Sequence, residues 1–564
     1  MSGSTPGHAR SHRAERVALP LLGGLTALLL VVLLYYPVGT VLAEAFAPEG
    51  SVSLAPVLDV LADPFYHDLF AFTAWQAFLS TLASLALGLP GAYALARFEF
   101  RGRETLQSLT AVPFVLPSIM VAVGFVATFG REGPVNDLLR FLGLPTVDLV
   151  FTLPLVVVAH AFYNAPLVTR IVAAAWESVD GRAVETARSL GASPRKAFLD
   201  VVAPQLYAAV LTSALLTFIF TFMSFPIVLA LGGFELATVE VWLYAKVQNL
   251  ELTEAAALAV LETVVSLALT YGYLRYERAQ ARGARTVSPL PRQSLRVLDA
   301  KRLALLLYAG VVVVVFALPI LSMLVASVQG PDGLTLDYYA FLLRRQTTGL
   351  AFQTKPLPAV RNTLLFGVGT LLLAVPMGIV LALASNREGP LARLLGTAVM
   401  LPFAVSGVVI GIGLLEGLVF GIELFGTRLR VGGPLAIVAA HAVAAYPFVV
   451  RNVAPLLADL DRAFSESARA LGATRVRALV DVELPLIAPG IAAGAAFAFA
   501  ISVGEFDSTI ILAEGSSAYT IPIAVERYLT DRTLGPATAM GTILLVVTAG
   551  SFVVIDRLGG AYRG

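Results

Sequence analysis

The chain has 564 residues, of which 57% are hydrophobic and only 14% charged, and its formal net charge is +1. A water-soluble fold of this length needs far more polar surface, and a nearly neutral chain has no electrostatic pull on nucleic acid. Cysteine is absent, which excludes disulfides, thiolate metal sites and a cysteine nucleophile.

In chain order, apolar blocks predict twelve membrane helices near residues 17–42, 72–96, 107–130, 150–173, 205–231, 254–275, 303–328, 361–385, 395–420, 434–457, 487–513 and 536–556. Crossing a hydrocarbon core takes roughly 20 apolar residues. The first block is longer than a signal-peptide core and no small-residue cleavage site follows it, so it is expected to stay as a helix. Arg10, Arg13 and Arg16 precede it, and Arg275, Arg278, Arg282, Arg285, Arg292, Arg296, Lys301 and Arg302 lie between helices six and seven. The intervening segment Ala43–Phe70 has no lysine or arginine, only Glu44, Glu49, Asp59, Asp63 and Asp68. Basic residues stay on the cytoplasmic side. A multi-pass protein of the cell membrane, with both termini and the central linker in the cytoplasm, is therefore expected.

The sequence also repeats itself. His160, Pro166, Arg170, Glu185, Gly191 and Pro204 recur as His441, Pro447, Arg451, Glu466, Gly472 and Pro485, each pair 281 residues apart. Looser echoes pair Ala94-Leu95-Ala96 with Ala382-Leu383-Ala384, and Pro37 with Pro319. The expected fold is all-α and integral to the membrane, built from two parallel six-helix repeats. Residues 1–275 form the first half, 276–302 a cytoplasmic linker and 303–564 the second half.

Between helices four and five, and again between ten and eleven, runs a long polar segment: VETARSLGASPRKAFLDVVAPQL and SESARALGATRVRALVDVELPLI. Asp180 and Asp461 suit helix N-caps. Gly191 and Gly472 allow a left-handed turn into a second short helix, and Pro204 and Pro485 suit the first turn of the next membrane helix. The expected object is a rigid helix–turn–helix knuckle on the cytoplasmic face.

These segments resemble the EAA loop of binding-protein-dependent ABC importer permeases of the type I fold. Glu185, Ala187, Gly191, Val201 and Pro204 fall at that family's spacing, with Ala203 in place of its leucine. Glu466, Ala468, Gly472, Val482, Leu484 and Pro485 match throughout, while Thr186 and Ser467 replace the second-position alanine. The resemblance covers essentially the whole chain. It implies that each loop docks in a groove of an ATP-binding cassette ATPase dimer, and that an extracellular or periplasmic binding protein delivers substrate. No lysine follows a glycine, so the phosphate-binding loop of an ATPase is missing. Hydrolysis is expected on a separate subunit. No catalytic set, cofactor or metal is expected here.

Ionisable groups at membrane depth are costly and are functional candidates. Glu505 and Asp507 sit in the outer part of helix eleven, and their repeat partners are Ser224 and Pro226. Two readings stand: an acidic lining for a cationic substrate, or solvated residues at a helix end. Glu262 and Glu416 are further candidates, with pairing or snorkelling as the plainer reading. His160 and His441, each in a His-x5-Pro-x3-Arg run, fit helix packing better than metal or proton chemistry. Pro113, Pro117 and Pro402 are expected to bend helices, and Gly124, Gly411 and Gly413 to allow close crossings.

Leu231–Val247 (LGGFELATVEVWLYAKV) and Ala159–Arg170 (AHAFYNAPLVTR) resemble thiamine permeases, which implies a cationic cargo. Ferric iron, phosphonate and molybdate importers are the alternatives, because GEFDSTIILAEG fits an iron or molybdate permease equally. A twelve-helix proton-coupled secondary transporter shares the helix count but leaves the paired loops unexplained. A membrane enzyme lacks a clustered catalytic set.

Overall fold

A computed structural model describes residues 20–109, 116–280, 290–294, 300–344, 356–386, 389, 399, 401–424, 426–513, 518–530 and 534–560. In lipid no water can satisfy an open backbone, so a spanning chain closes its hydrogen bonds within helices. Among the described residues, ten helices are long and apolar enough to cross a membrane.

The helices that carry the duplication run in two equivalent series. The first is α1 Pro20–Phe46, α2 Pro64–Arg97, α3 Ser118–Phe129, α4 Leu153–Glu177, α5 Gly181–Ser189, α6 Pro194–Phe222, α7 Pro226–Gly232, α8 Val239–Gln248 and α9 Leu252–Gln280. The second is α10 Arg302–Ala326, α11 Pro356–Ser385, α12 Gly407–Val419, α13 Gly433–Asp459, α14 Arg462–Ala470, α15 Arg475–Gly504, α16 Asp507–Leu512, α17 Ile521–Thr530 and α18 Leu534–Gly560.

Several sequence-based expectations change. The fifth and eleventh helices, expected to be continuous over 205–231 and 487–513, are each broken: α6 ends at Phe222 before α7 begins, and α15 ends at Gly504 before α16 begins. Pro226 starts α7, where its missing N–H costs nothing. The third span is not one helix over 107–130 either. Pro117, at φ −57° and ψ 134°, is the residue before α3 rather than a kink within a helix. Pro402 lies in a separate 3-10 turn, Leu401–Ala404, ahead of α12. Pro113 falls outside the described residues.

Prolines leave a repeated signature. A π-turn occupies Val31–Tyr35 ahead of Pro37 and Val313–Ala317 ahead of Pro319. Another occupies Phe198–Val202 ahead of Pro204 and Leu479–Glu483 ahead of Pro485. Proline cannot donate to the fourth residue back, and a widened turn re-routes the freed carbonyl without ending the helix.

Packing sorts the chain into two compact units. One contains the described parts of Met1–Leu54, Arg345–Ala524 and Ile543–Gly564, the other those of Ala55–Arg344 and Val525–Thr542. The units do not follow the linear halves, because each takes the leading helix of the other half. Within the first unit, α1 lies on α12: Thr40 Oγ1 donates to the Gly413 carbonyl (3.0 Å) and Tyr36 Oη to that of Gly417 (3.3 Å). A Cβ on Gly413 would run into the Pro37 carbonyl. Within the second unit, a Cβ on Gly124 of α3 would stand 2.7 Å from the carbonyl oxygen of Pro319 on α10. The Pro37 and Pro319 echo thus makes the same contact twice. Gly411 crosses closely too, with its added Cβ 3.0 Å from that of Ile511.

The core of the second unit joins Ala92, Leu95, Val168, Val172, Trp176 and Leu206, and that of the first joins Met377, Leu381, Tyr446, Val449 and Val453. A Cβ on Gly88 would lie 2.6 Å from the Ala165 carbonyl, and one on Gly378 within 3.2 Å of the Tyr446 carbonyl. Ala165 and Tyr446 differ by 281, so Gly88 and Gly378 are equivalent and α2 repeats at an offset of 290. The Ala-Leu-Ala echo, at 288, is two residues out of register.

Gly124→Val is expected to destabilise the detergent-solubilised protein by about 1–3 kcal/mol, since its β-carbon meets backbone rather than a movable side chain. Gly272→Ala, with open space around it, is the neutral control. Thermal unfolding checks this, and a Gly124→Val midpoint equal to wild type would overturn the close-crossing account.

Candidate functional site

The two knuckles are built by the same local bonds. Asp180 caps α5 by accepting from the Arg182 N–H (3.0 Å), and Asp461 caps α14 by accepting from the Ala463 N–H (2.9 Å). Each short helix then closes on a left-handed glycine, Gly191 at φ 91° and Gly472 at φ 93°. The N–H of Ala192 reaches back to the Ala187 carbonyl (3.0 Å), and that of Ala473 to Ala468 (2.9 Å). That is the six-to-one bond of a Schellman ending, so Ala187 and Ala468 serve through their carbonyls as well as their small size. Ser193 and Thr474 cap the next turn, each 3.3 Å from a backbone N–H. Pro204 and Pro485 follow at the second residue after the π-turns.

Glu185 and Glu466 are exposed on α5 and α14. Sequence reasoning missed their apolar neighbours: Leu190 is 84% exposed and Leu471 89%. The signal was available, since both precede the repeated glycine at the same offset. Beside the second knuckle lies a hollow of about 290 Å³, lined by Ala468, Leu471, Gly472, Arg477 and Val482 among others. The knuckles are also pinned to the spans that follow. Gln205 Oε1 accepts from the Asp180 N–H (3.3 Å), and Ser465 Oγ donates to Glu483 (2.6 Å).

The broken helices form the other cluster. Glu505 lies between α15 and α16. Its Oε1 accepts from the N–H of Ser508 (2.7 Å) and from Ser508 Oγ (2.8 Å). Its Oε2 accepts from the N–H (3.1 Å) and the hydroxyl of Thr509. His441 Nε2, on α13, lies 3.0 Å from the same oxygen. The same nitrogen lies 2.8 Å from Thr509 Oγ1. His441 Nδ1 bonds Ser502 Oγ (2.7 Å), which in turn bonds Thr370 Oγ1 (3.0 Å). The carboxylate does the work of a helix N-cap, placing negative charge at the positive end of α16. Asp507 begins α16 beside Gly407, where a Cβ would stand 2.7 Å from its own.

In the first half Ser224 occupies the equivalent break. His160 Nε2 bonds Ser224 Oγ (2.9 Å), and its Nδ1 bonds Ser80 Oγ (3.0 Å). Ser80 corresponds to Thr370 at the offset of 290. Thr73 Oγ1 accepts from the Val239 N–H at the start of α8 (3.1 Å), and Thr363 Oγ1 from the Ile521 N–H at the start of α17 (2.9 Å). The histidines therefore join helices as expected, but His441 also holds a carboxylate that spacing alone did not connect to it. Glu262 is 1% exposed, which excludes snorkelling; Glu416 is mostly buried within the π-turn Leu415–Val419 of α12. Among the described residues, no group of three or more histidine, aspartate or glutamate side chains is arranged to hold a metal.

The family model described as the inner membrane component of binding-protein-dependent transport systems matches the chain twice, at residues 85–280 and 374–563. A thiamine transport system permease protein of Brucella abortus (strain 2308) is 28% identical over 564 residues, covering 98% of each chain. One from Escherichia coli (strain K12) is 27% identical, covering 89% of this chain and 90% of its own. A molybdenum transport system permease protein of Azotobacter vinelandii is 36% identical over 34% of this chain and 87% of its own. The chain is a multi-pass membrane permease that carries the same domain twice, and it belongs to the family of inner membrane components of binding-protein-dependent transport systems.

Proposed function

We propose that this permease serves an ATP-driven importer of thiamine. ATP is hydrolysed by a separate ATPase dimer that docks on α5 and α14, and a binding protein outside the membrane hands over the cargo. The carrying observation is the pair of knuckles, identical in cap, glycine turn and exposed leucine, 281 residues apart. A leucine left this exposed at the same place on two rigid turns suits a surface that a partner covers. The charge pattern of the flanks supports cytoplasmic termini, with residues 276–302 linking halves 1–275 and 303–564. Glu185, Ala187, Gly191, Pro204, Glu466, Ala468, Gly472 and Pro485 are the coupling residues in this reading.

The substrate assignment rests on full-length likeness to thiamine permeases and on Glu505. Ser224, Glu505 and Asp507 are the substrate-path candidates, because a helix break is where backbone and polar side chains face away from their own ladder. The molybdenum relative points to the rival cargo. Molybdate is an anion, and a carboxylate at the break opposes it.

Gly472→Asp is expected to abolish uptake while the protein still inserts, because it forces a β-carbon into a left-handed turn and charges the docking face. Normal substrate-stimulated ATP hydrolysis by the reconstituted mutant complex would sink the coupling role. Glu505→Gln is expected to lower thiamine uptake at limiting concentration about tenfold, the equivalent of ~1.4 kcal/mol, measured per folded complex because the amide nitrogen cannot accept the bonds that one carboxylate oxygen takes at the break. Uptake at the wild-type rate would remove Glu505 from the path. For the cargo itself, thiamine should raise the melting temperature of the partner binding protein; a rise with ferric iron or molybdate alone would reassign it.

A further inference from the structure

The linker between the two halves is bolted to the root of one knuckle. Within its described stretch 290–294, β2 (Gln293–Ser294) pairs in parallel with β1 (Phe98–Glu99), the strand that leaves α2. Leu290 packs against the core that holds Leu95, Trp176 and Val179. Arg97 donates to the Pro291 carbonyl (3.3 Å). Arg292 then reaches Glu177, the last residue of α4, at 2.9 Å, and lies 3.7 Å from Glu99. The same Glu177 oxygen takes a second guanidinium from Arg103 (2.9 Å), whose Nε is fixed on the Leu95 carbonyl (2.9 Å). Glu177 stands three residues before Asp180, the cap of α5. In the second half its equivalent is Ala458, which cannot make such a clamp.

We propose that Glu177 is a positioning residue for coupling: with Arg292 and Arg103 it straps the linker across the ends of α2 and α4 and fixes the angle at which the first knuckle is presented. The inference rests on the reading of α5 as an ATPase-docking loop. A single exposed ion pair adds little, but one carboxylate shared by two guanidiniums, each fixed by a strand or a backbone bond, forms a network with one preferred geometry. The strap touches neither cargo nor the knuckle's own surface. Loosening it leaves docking possible while the motion of the ATPase reaches α4 less faithfully.

The test uses the full complex in proteoliposomes, reading molecules imported per ATP hydrolysed alongside complex yield and melting temperature. Glu177→Gln and Arg292→Gln should each lower that ratio about two- to fivefold, the size expected from one charged contact in such a network. Yield and melting should stay unchanged. The double variant should fall well short of the product of the two, because both remove the Arg292–Glu177 link. Arg131→Ala, which breaks a separate exposed pair with Asp148, should be silent. Wild-type ratios in both single variants, or a double variant equal to the product of the two, would overturn the strap. Should Glu177→Gln fail to fold, Arg292→Gln on the exposed linker decides alone. Gly191→Asp separates the two claims: its loss of uptake beside normal Glu177→Gln coupling rejects the strap only, whereas its normal uptake rejects the docking reading itself.

Discussion

The constraint on which this structure depends is that a helix broken at membrane depth must have its open backbone satisfied by the protein. Each unpaired N–H or C=O in hydrocarbon costs several kcal/mol. At the break before α16 the donors are the N–H groups of Ser508 and Thr509, and Glu505 accepts from both. A buried carboxylate then needs support of its own, and His441 with the two neighbouring hydroxyls provides it. His441 is held in turn by Ser502, which Thr370 holds. One backbone interruption thus dictates a chain of side chains across four helices. Its counterpart before α7 is built differently: Pro226 has no N–H to satisfy, no side chain caps the helix, and Ser224 bonds His160 rather than the α7 backbone.

Around these breaks, cohesion comes from close approach rather than from expelling water, since lipid tails are as apolar as leucine. Gly88 on α2 and Gly378 on α11 let a neighbouring backbone come within contact distance, and Thr169 uses that proximity to donate to the Gly88 carbonyl (2.9 Å). The leading helices follow the same rule. α1 meets Gly413 and α10 meets Gly124 through the carbonyls of Pro37 and Pro319, each two residues beyond a π-turn. An exchange of leading helices costs no packing because both glycine–proline contacts are equivalent.

How much of this was legible in the sequence depended on how local the signal was. Composition and long apolar runs established the membrane class. Strict offsets exposed the duplication, and Asp180, Gly191 and Pro204 outlined the knuckle because caps and left-handed turns act over a few residues. The breaks were hidden, because Ile219–Leu231 and Phe499–Leu512 are apolar on both sides and hydropathy does not register an interruption of two or three residues. The His441–Glu505 contact joins residues 64 apart and has no periodic trace. Membership of α1 and α10 was equally silent, since two alike contacts look the same whichever half supplies the proline. The register of α2 went wrong because an Ala-Leu-Ala echo is too common in membrane helices to fix an offset.

The repeat has been kept unequally along its length, and the pattern has a physical reason. In the proposed importer, two ATPase subunits related by symmetry act on the two knuckles together, so both loops must offer the same cap, turn and exposed leucine. Any drift in one would skew a motion delivered in pairs. A small cargo has no such symmetry and gains from unlike walls. The halves diverge where that freedom exists: a hydroxyl at Ser224 against a carboxylate at Glu505, each beside the repeated histidine. The strap at Glu177 lies on the other side of the same divide, for only one half is followed by a linker and only that half has a carboxylate at this position to receive it. Fusion of the halves is what permits both departures, because a permease assembled from two identical chains could hold neither a one-sided charge at the break nor a one-sided clamp at the loop.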